Sequence, residues 1–126
     1  MKRLLLTSLL VIMLVIPASA NLCQLSDTLK TPANIQKYVR TQIRYEYHYY
    51  AIGAEATLML KKGDCTDTAM LMQELLKCQK ISSRLQHGYA TYSNGMRVKH
   101  DWLTVNGKIL DMESPIKYEL IGGGIW

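Results

Sequence analysis

The sequence predicts an α+β domain, and three observations lead there. Apolar residues recur at helical spacing through the first half of the chain. After Lys80 the pattern switches to period two. Two Asn-Gly pairs, Asn94-Gly95 and Asn106-Gly107, punctuate that second half. Helices followed by an antiparallel sheet define the α+β class.

Residues 1–20 read as an address. Met1-Lys2-Arg3 is a basic start, Leu4 to Ile16 is an apolar run, Pro17 ends it, and Ala18-Ser19-Ala20 is a small-residue cleavage pattern. A retained membrane anchor is the competing reading, but a spanning helix needs about 20 apolar residues, and this run is shorter. The expectation is a secretory signal over 1–20, a single domain over 21–126, and no stable membrane insertion once the signal is cleaved. Cleavage after Ala20 removes Lys2 and Arg3 and lowers the formal net charge from +5 to +3. That balance, without a basic run, gives no basis for nucleic-acid binding.

Cys23, Cys65 and Cys78 survive cleavage. An odd count in an oxidising compartment leaves one thiol over. Cys23 and Cys78 could pair and leave Cys65 free, although sequence does not fix the pairing. Lipid attachment at Cys23 would call for a small residue before it, and Leu22 stands there.

Residues 21–30 read as a lead-in segment. Thr31 is a helix N-cap with Pro32 in the first turn, and Ile35, Tyr38, Val39, Gln42 and Ile43 follow at helical spacing to about Arg44. Tyr45 to Tyr50 carries four tyrosines and His48, as a strand or an irregular crossing. Ala54–Leu60 reads as a short helix. A longer one runs from Cys65 to Cys78, with Ala69, Met72 and Leu76 on one face. Strands are predicted over 83–92, 96–105 and 108–111, with a fourth over 116–121 and a loose tail or short edge after it.

Gly63-Asp64-Cys65-Thr66-Asp67 lies where a loop becomes a helix. Helix N-termini favour a thiolate, and their free N–H groups can hold an oxyanion. A cysteine beside an apolar helix is also commonly a small buried hydrophobe, and Asp64 and Asp67 also suit plain capping. Gly63 would let a substrate or a strand approach the backbone.

A two-residue turn at Asn106-Gly107 pairs Leu103 with Leu110 and Trp102 with Asp111, which sets His100 opposite Glu113. His100, Trp102, Asp111 and Glu113 then share one face. Asp111 is the diagonal neighbour of His100, and Glu113 is a rival acid directly opposite. A carboxylate on one ring nitrogen fixes the tautomer and leaves the other to take a thiol proton. The same reasoning at Asn94-Gly95 puts Tyr89 opposite His100 and His87 on the His100 face with no acid beside it. His48 reads as a surface or packing residue. No pair of histidines or cysteines has zinc-ligand spacing, so neither a metal nor another cofactor is expected.

Taken in order, Gly63-Asp64-Cys65-Thr66-Asp67-Thr68-Ala69, Ile81-Ser82-Ser83-Arg84, Gly88-Tyr89, His100-Asp101-Trp102 and Ile109-Leu110-Asp111 resemble the transglutaminase-like core. The resemblance implies a papain-like fold, with the nucleophile at a helix N-terminus packed on a small antiparallel sheet. It implies acyl transfer through a thioester, with Cys65 as nucleophile, His100 as base and Asp111 orienting the histidine. Gln42 and Tyr45 are candidates for a second oxyanion donor, Trp102 for a neighbour of the site, and Arg84 for a structural role. Asp101 departs from the pattern, which commonly has a small residue there; by alternation it points away from His100. The expected function is an exported cysteine enzyme hydrolysing a peptide, amide or isopeptide bond in a protein or peptide substrate. A protein-glutamine transamidase, or an inactive secreted binding module on the same fold, are the alternatives.

Overall fold

A computed structural model describes residues 18–125, with 18–20 and 122–125 as backbone alone. The expected leader therefore lies, up to residue 17, outside the described residues. Among the described residues four helices come first: α1 (Ala18–Leu29), α2 (Pro32–Gln42), α3 (Ala54–Leu60) and α4 (Cys65–Cys78). Two short strands, β1 (Arg44–Tyr45) and β2 (Lys62–Gly63), pair in parallel between them. The main sheet is antiparallel, in the order β5 (Lys108–Leu110), β4 (Arg97–Val105), β3 (Arg84–Thr91), β6 (Lys117–Ile125). Among the described residues no helix is long and apolar enough to cross a membrane.

The helix starts follow their local chemistry. Thr31 Oγ1 accepts from the Asn34 N–H at 3.2 Å, with Pro32 opening α2. Asp64 and Asp67 form a reciprocal capping box at α4: Asp67 N donates to Asp64 Oδ1 at 3.0 Å and Asp64 N to Asp67 Oδ2 at 3.1 Å. What crowds Gly63 is this box: a Cβ there would lie 2.7 Å from the Asp67 Cβ and 3.1 Å from Thr57. The approaching group is thus the protein's own side chain.

The core lies between α4 and the sheet. Leu71, Met72, Leu75 and Leu76 of α4 are buried against Ile35 and Val39 of α2 and against Leu85, Leu103, Val105 and Leu110 of the sheet. Leu85 faces Leu103, and Leu103 faces Leu110, across the ladders.

The lead-in over 21–30 is helix α1. Leu22, Leu25 and Leu29 have helical spacing, and tertiary bonds hold the segment in place. Cys23 is bonded to Cys78, and the Ser26 hydroxyl donates to the Leu75 carbonyl at 2.7 Å. A disulfide spanning 55 residues is worth about 4 kcal/mol in lost unfolded-chain entropy.

The second hairpin has the expected register. Asn106 and Gly107 both take positive φ (52° and 77°), the two-residue turn their sequence favours. The first differs by one residue. Gly95 alone takes positive φ (86°), and the loop is Ser93-Asn94-Gly95, closed by Tyr92 N donating to Met96 O at 2.9 Å. That longer loop sets Gly88 opposite His100, Tyr89 opposite Lys99, and His87 opposite Asp101. The expected Tyr89–His100 pairing and the placement of His87 on the His100 face are corrected accordingly. The fourth strand extends to Ile125 and pairs with β3 through an irregularity between Gln86 and Gly88. At Gly88 the strands nearly touch: a Cβ would fall 1.9 Å from the Glu119 carbonyl oxygen.

Candidate active site

Cys65 opens α4. The capping box occupies the N–H groups of Asp64 and Asp67, leaving those of Cys65 and Thr66, first-turn donors with no intrahelical partner, at the mouth of the site. Asp67 is fully buried and works twice. Its Oδ1 also accepts from Ile52 N at 2.7 Å and Gly53 N at 3.3 Å. The capping residue thus fastens the tyrosine-bearing 45–53 crossing to the tip of the helix. Burial raises the Asp64 carboxyl pKa; the N–H bonds from Asp67 and His48 oppose the rise, and the Asp67 charge adds to it.

His100 lies in β4 and is buried. Its Nε2 is 2.7 Å from Asp111 Oδ2. An ionised carboxylate only accepts, so Nε2 carries a proton toward Asp111 and Nδ1 is the nitrogen not bonded to that acid. The imidazole and the Cys65 thiol line the same cleft. Burial alone would lower the imidazole pKa; the bonds to Asp111 and to Cys65, with their charges, outweigh it and raise it from 6.5 to about 10. Glu113 Oε1 stands 3.9 Å from Nδ1. Of the two acids that spacing left in competition, Asp111 is bonded to Nε2, and Glu113 stays beyond hydrogen-bond distance of Nδ1.

Asp111 is held from every side. Its Oδ2 also accepts from the Tyr118 hydroxyl at 2.8 Å and its Oδ1 from Glu113 N at 3.1 Å. Its backbone N–H donates to Gln36 Oε1 at 3.0 Å, and its carbonyl accepts from Arg40 Nε at 2.9 Å. Helix α2 thereby clamps the turn that carries the acid. Trp102 stacks beside His100 at 6.0 Å between centroids and 20° between planes, and Tyr118 packs on Trp102 at 4.8 Å. Trp102 is buried behind the imidazole and does not line the cleft. Tyr92 meets the His100 ring edge-on at 6.3 Å.

Cys65 and His100 open into a cleft of about 200 Å³ lined also by Tyr45, Tyr47, His48, Asp64, Thr66, His87, Lys99 and Asp101. Tyr45 is therefore brought to the thiol. Burial, and then the Cys65, Glu113 and Asp64 charges, push its phenol up to about 12, so it stays a donor at neutral pH. Gln42 ends α2, exposed, and does not line this cleft. Asp101 points away from His100 and binds Thr66 and His87 instead.

Tyr92, Tyr118, Gln36 and Arg40 surround the His100–Asp111 pair, and sequence reasoning did not single them out. Tyr92 was hidden by the one-residue register difference, and Tyr118 by the irregular β3–β6 pairing. Gln36 and Arg40 act across 75 and 71 residues, with no local signal. His48, read as a surface or packing residue, lines the cleft, and its Nε2 is buried without a hydrogen-bond partner.

The architecture has solved counterparts. A Cytophaga hutchinsonii structure described as a candidate cysteine protease aligns over 75% of this chain at 20% identity and a TM-score of 0.58. Legionella pneumophila LapG aligns over 77% at 20% identity and a TM-score of 0.54, and its calcium-bound form over 83% at 22% and 0.54. The chain spans 37% of the first structure and 62% and 66% of the LapG structures. At these identities the likeness concerns the fold, an α+β transglutaminase-like core. No curated protein matches the sequence. The profile of the transglutaminase-like superfamily matches residues 20–108, well over half of the chain: the chain belongs to the transglutaminase-like superfamily.

Proposed function

We propose that the chain is an exported cysteine enzyme that hydrolyses a peptide, amide or isopeptide bond of a protein or peptide through a thioester on Cys65. One observation carries this reading. A free thiol at the first position of a helix shares a cleft with an imidazole whose Nε2 is bonded to a buried carboxylate.

The chemistry follows from that order. His100 holds the thiol proton as an imidazolium, the state its raised pKa favours, and the thiolate attacks the carbonyl carbon. Negative charge forms on the carbonyl oxygen, where the Cys65 N–H and the Tyr45 hydroxyl are the candidate donors. His100 gives its proton to the leaving nitrogen, and the C–N bond breaks. Water then attacks the thioester with His100 as base, releasing the acid and restoring the thiol. Asp111 holds the tautomer throughout and stabilises the imidazolium.

Export is supported by the leader-like residues 1–20 and by the Cys23–Cys78 disulfide, which belongs to an oxidising compartment such as the periplasm or the cell surface.

The test is turnover of a quenched peptide library and of labelled casein, with intact-mass detection of an acyl adduct after acid quench. Cleavage and an adduct on Cys65, both lost in Cys65→Ala, are expected. Incorporation of monodansylcadaverine into casein glutamines in preference to cleavage would reassign the reaction to transamidation. No turnover, with Cys65 alkylating like an ordinary thiol, would leave a binding module.

A further inference from the structure

Asp101 is a buried carboxylate next to the candidate base that the acyl-transfer scheme does not use. It is 5% exposed. Both oxygens are engaged: Oδ2 accepts from the Thr66 hydroxyl at 2.6 Å, and Oδ1 lies 2.5 Å from His87 Nδ1. Thr66 directly follows Cys65 in α4, and Asp101 directly follows His100 in β4. Helix tip and strand therefore come together at adjacent positions: thiol and imidazole line one cleft, and hydroxyl and carboxylate are bonded beside them.

The two contacts differ in strength. A thiol is a weak donor and holds little on its own. The Thr66–Asp101 bond is short and charge-assisted. Its loss leaves a buried carboxylate oxygen short of a donor, a costly outcome that resists displacement. His87 sits directly across the ladder from Asp101 and engages the other oxygen.

We infer that Thr66 and Asp101 form a positioning tether that sets how the Cys65 thiol meets His100, with His87 keeping the Asp101 carboxylate turned toward α4. The inference rests on the thiol–imidazole pair of the proposed function. A misplacement of about 1 Å between reacting groups can cost on the order of a hundredfold in rate, so a tether one residue from each partner is well placed to matter.

The experiment is the rate of Cys65 alkylation by iodoacetamide across pH, on the oxidised full chain. The other two of the three cysteines are in the disulfide, so alkylation reports on Cys65. Thr66→Val is expected to slow alkylation at neutral pH roughly ten- to a hundredfold, toward the His100→Ala rate. Thr66→Ser, which keeps the hydroxyl, is expected to restore the wild-type rate and pH profile. The Thr66→Val/Asp101→Asn double variant is expected to be no slower than the slower single variant. Thr66→Ala serves if the valine variant fails to melt cooperatively. A lowered melting temperature with an unchanged alkylation profile would reduce the tether to a packing contact and overturn the inference, provided His100→Ala is slow. If His100→Ala alkylates as fast as wild type, the thiol–imidazole pair falls, and the tether with it.

Discussion

His100 and Asp111, eleven residues apart, are joined at 2.7 Å across a two-residue turn, and the bond is sealed from water by the Trp102 and Tyr118 rings. Neither residue is more than 2% exposed. A bond so enclosed keeps a proton on Nε2 and fixes the ring's orientation in both charge states of the imidazole. Asp111→Asn is therefore expected to preserve the fold while lowering the acylation rate of Cys65 by roughly two to four orders of magnitude. Single-turnover kinetics with a thiol-directed peptide ester would measure it. A tenfold or smaller loss would assign the orienting role elsewhere, with Glu113 the next residue to change.

The raised imidazole predicts a pH dependence of stability. The folded-state value of about 10 lies above the unfolded 6.5. Its contribution is fully present below 6.5 and is lost as pH climbs toward 10. Urea denaturation at intervals across that window should show stability falling with pH, and a shallower fall in Asp111→Asn. A flat profile in the wild type would mean that the imidazole is neutral in the folded protein.

Reduction should cost the fold more than the site. The Cys23→Ser/Cys78→Ser variant is expected to lose up to about 4 kcal/mol in urea denaturation and to release α1 first. Under native conditions its Cys65 alkylation rate should stay close to that of the parent.

Asp67 offers a different kind of perturbation. Asp67→Ala removes the acceptor for Asp64 N, Ile52 N and Gly53 N together. A loss of about 2–3 kcal/mol is expected from the missing cap and the stranded donors. Faster amide exchange at Ile52 and Gly53 would locate the effect. Unchanged exchange there would show that the crossing is held without the carboxylate.

Gly88→Ala should act through the sheet. The added methyl meets the Glu119 carbonyl, so β6 must move and carry Tyr118 away from Asp111. The expected signature is a lower melting temperature together with loss of the Trp102 fluorescence quenching that neighbouring aromatic rings impose. A fully tolerated alanine would show that β6 can slide along β3.

Most of the fold was readable where local chemistry decides it. Thr31-Pro32, the Asp64/Asp67 cap and Asn106-Gly107 fix conformations within a few residues, and those elements begin and end close to expectation. Where long-range bonds decide, reading failed. Helix α1 depends on a disulfide and on a serine bonded to a carbonyl 49 residues away. The first hairpin slipped by one residue because an Asn-Gly pair also serves a three-residue loop, and Asn94 keeps an ordinary negative φ there. Cys65, His100 and Asp111 could be nominated together only because the resemblance to the transglutaminase-like core joined positions that local rules left open one by one. Their surroundings could not: Tyr118, Gln36 and Arg40 arrive from remote parts of the chain.

Helix α4 begins at Cys65 and ends at Cys78. Thirteen helical steps set the two sulfur-bearing backbones about 20 Å apart. An activated thiolate is also the species that attacks disulfides, so a protein holding both risks scrambling its own cross-link. Here the rigid rod between them acts as insulation: the reactive sulfur cannot reach the bonded pair without unwinding the helix that activates it.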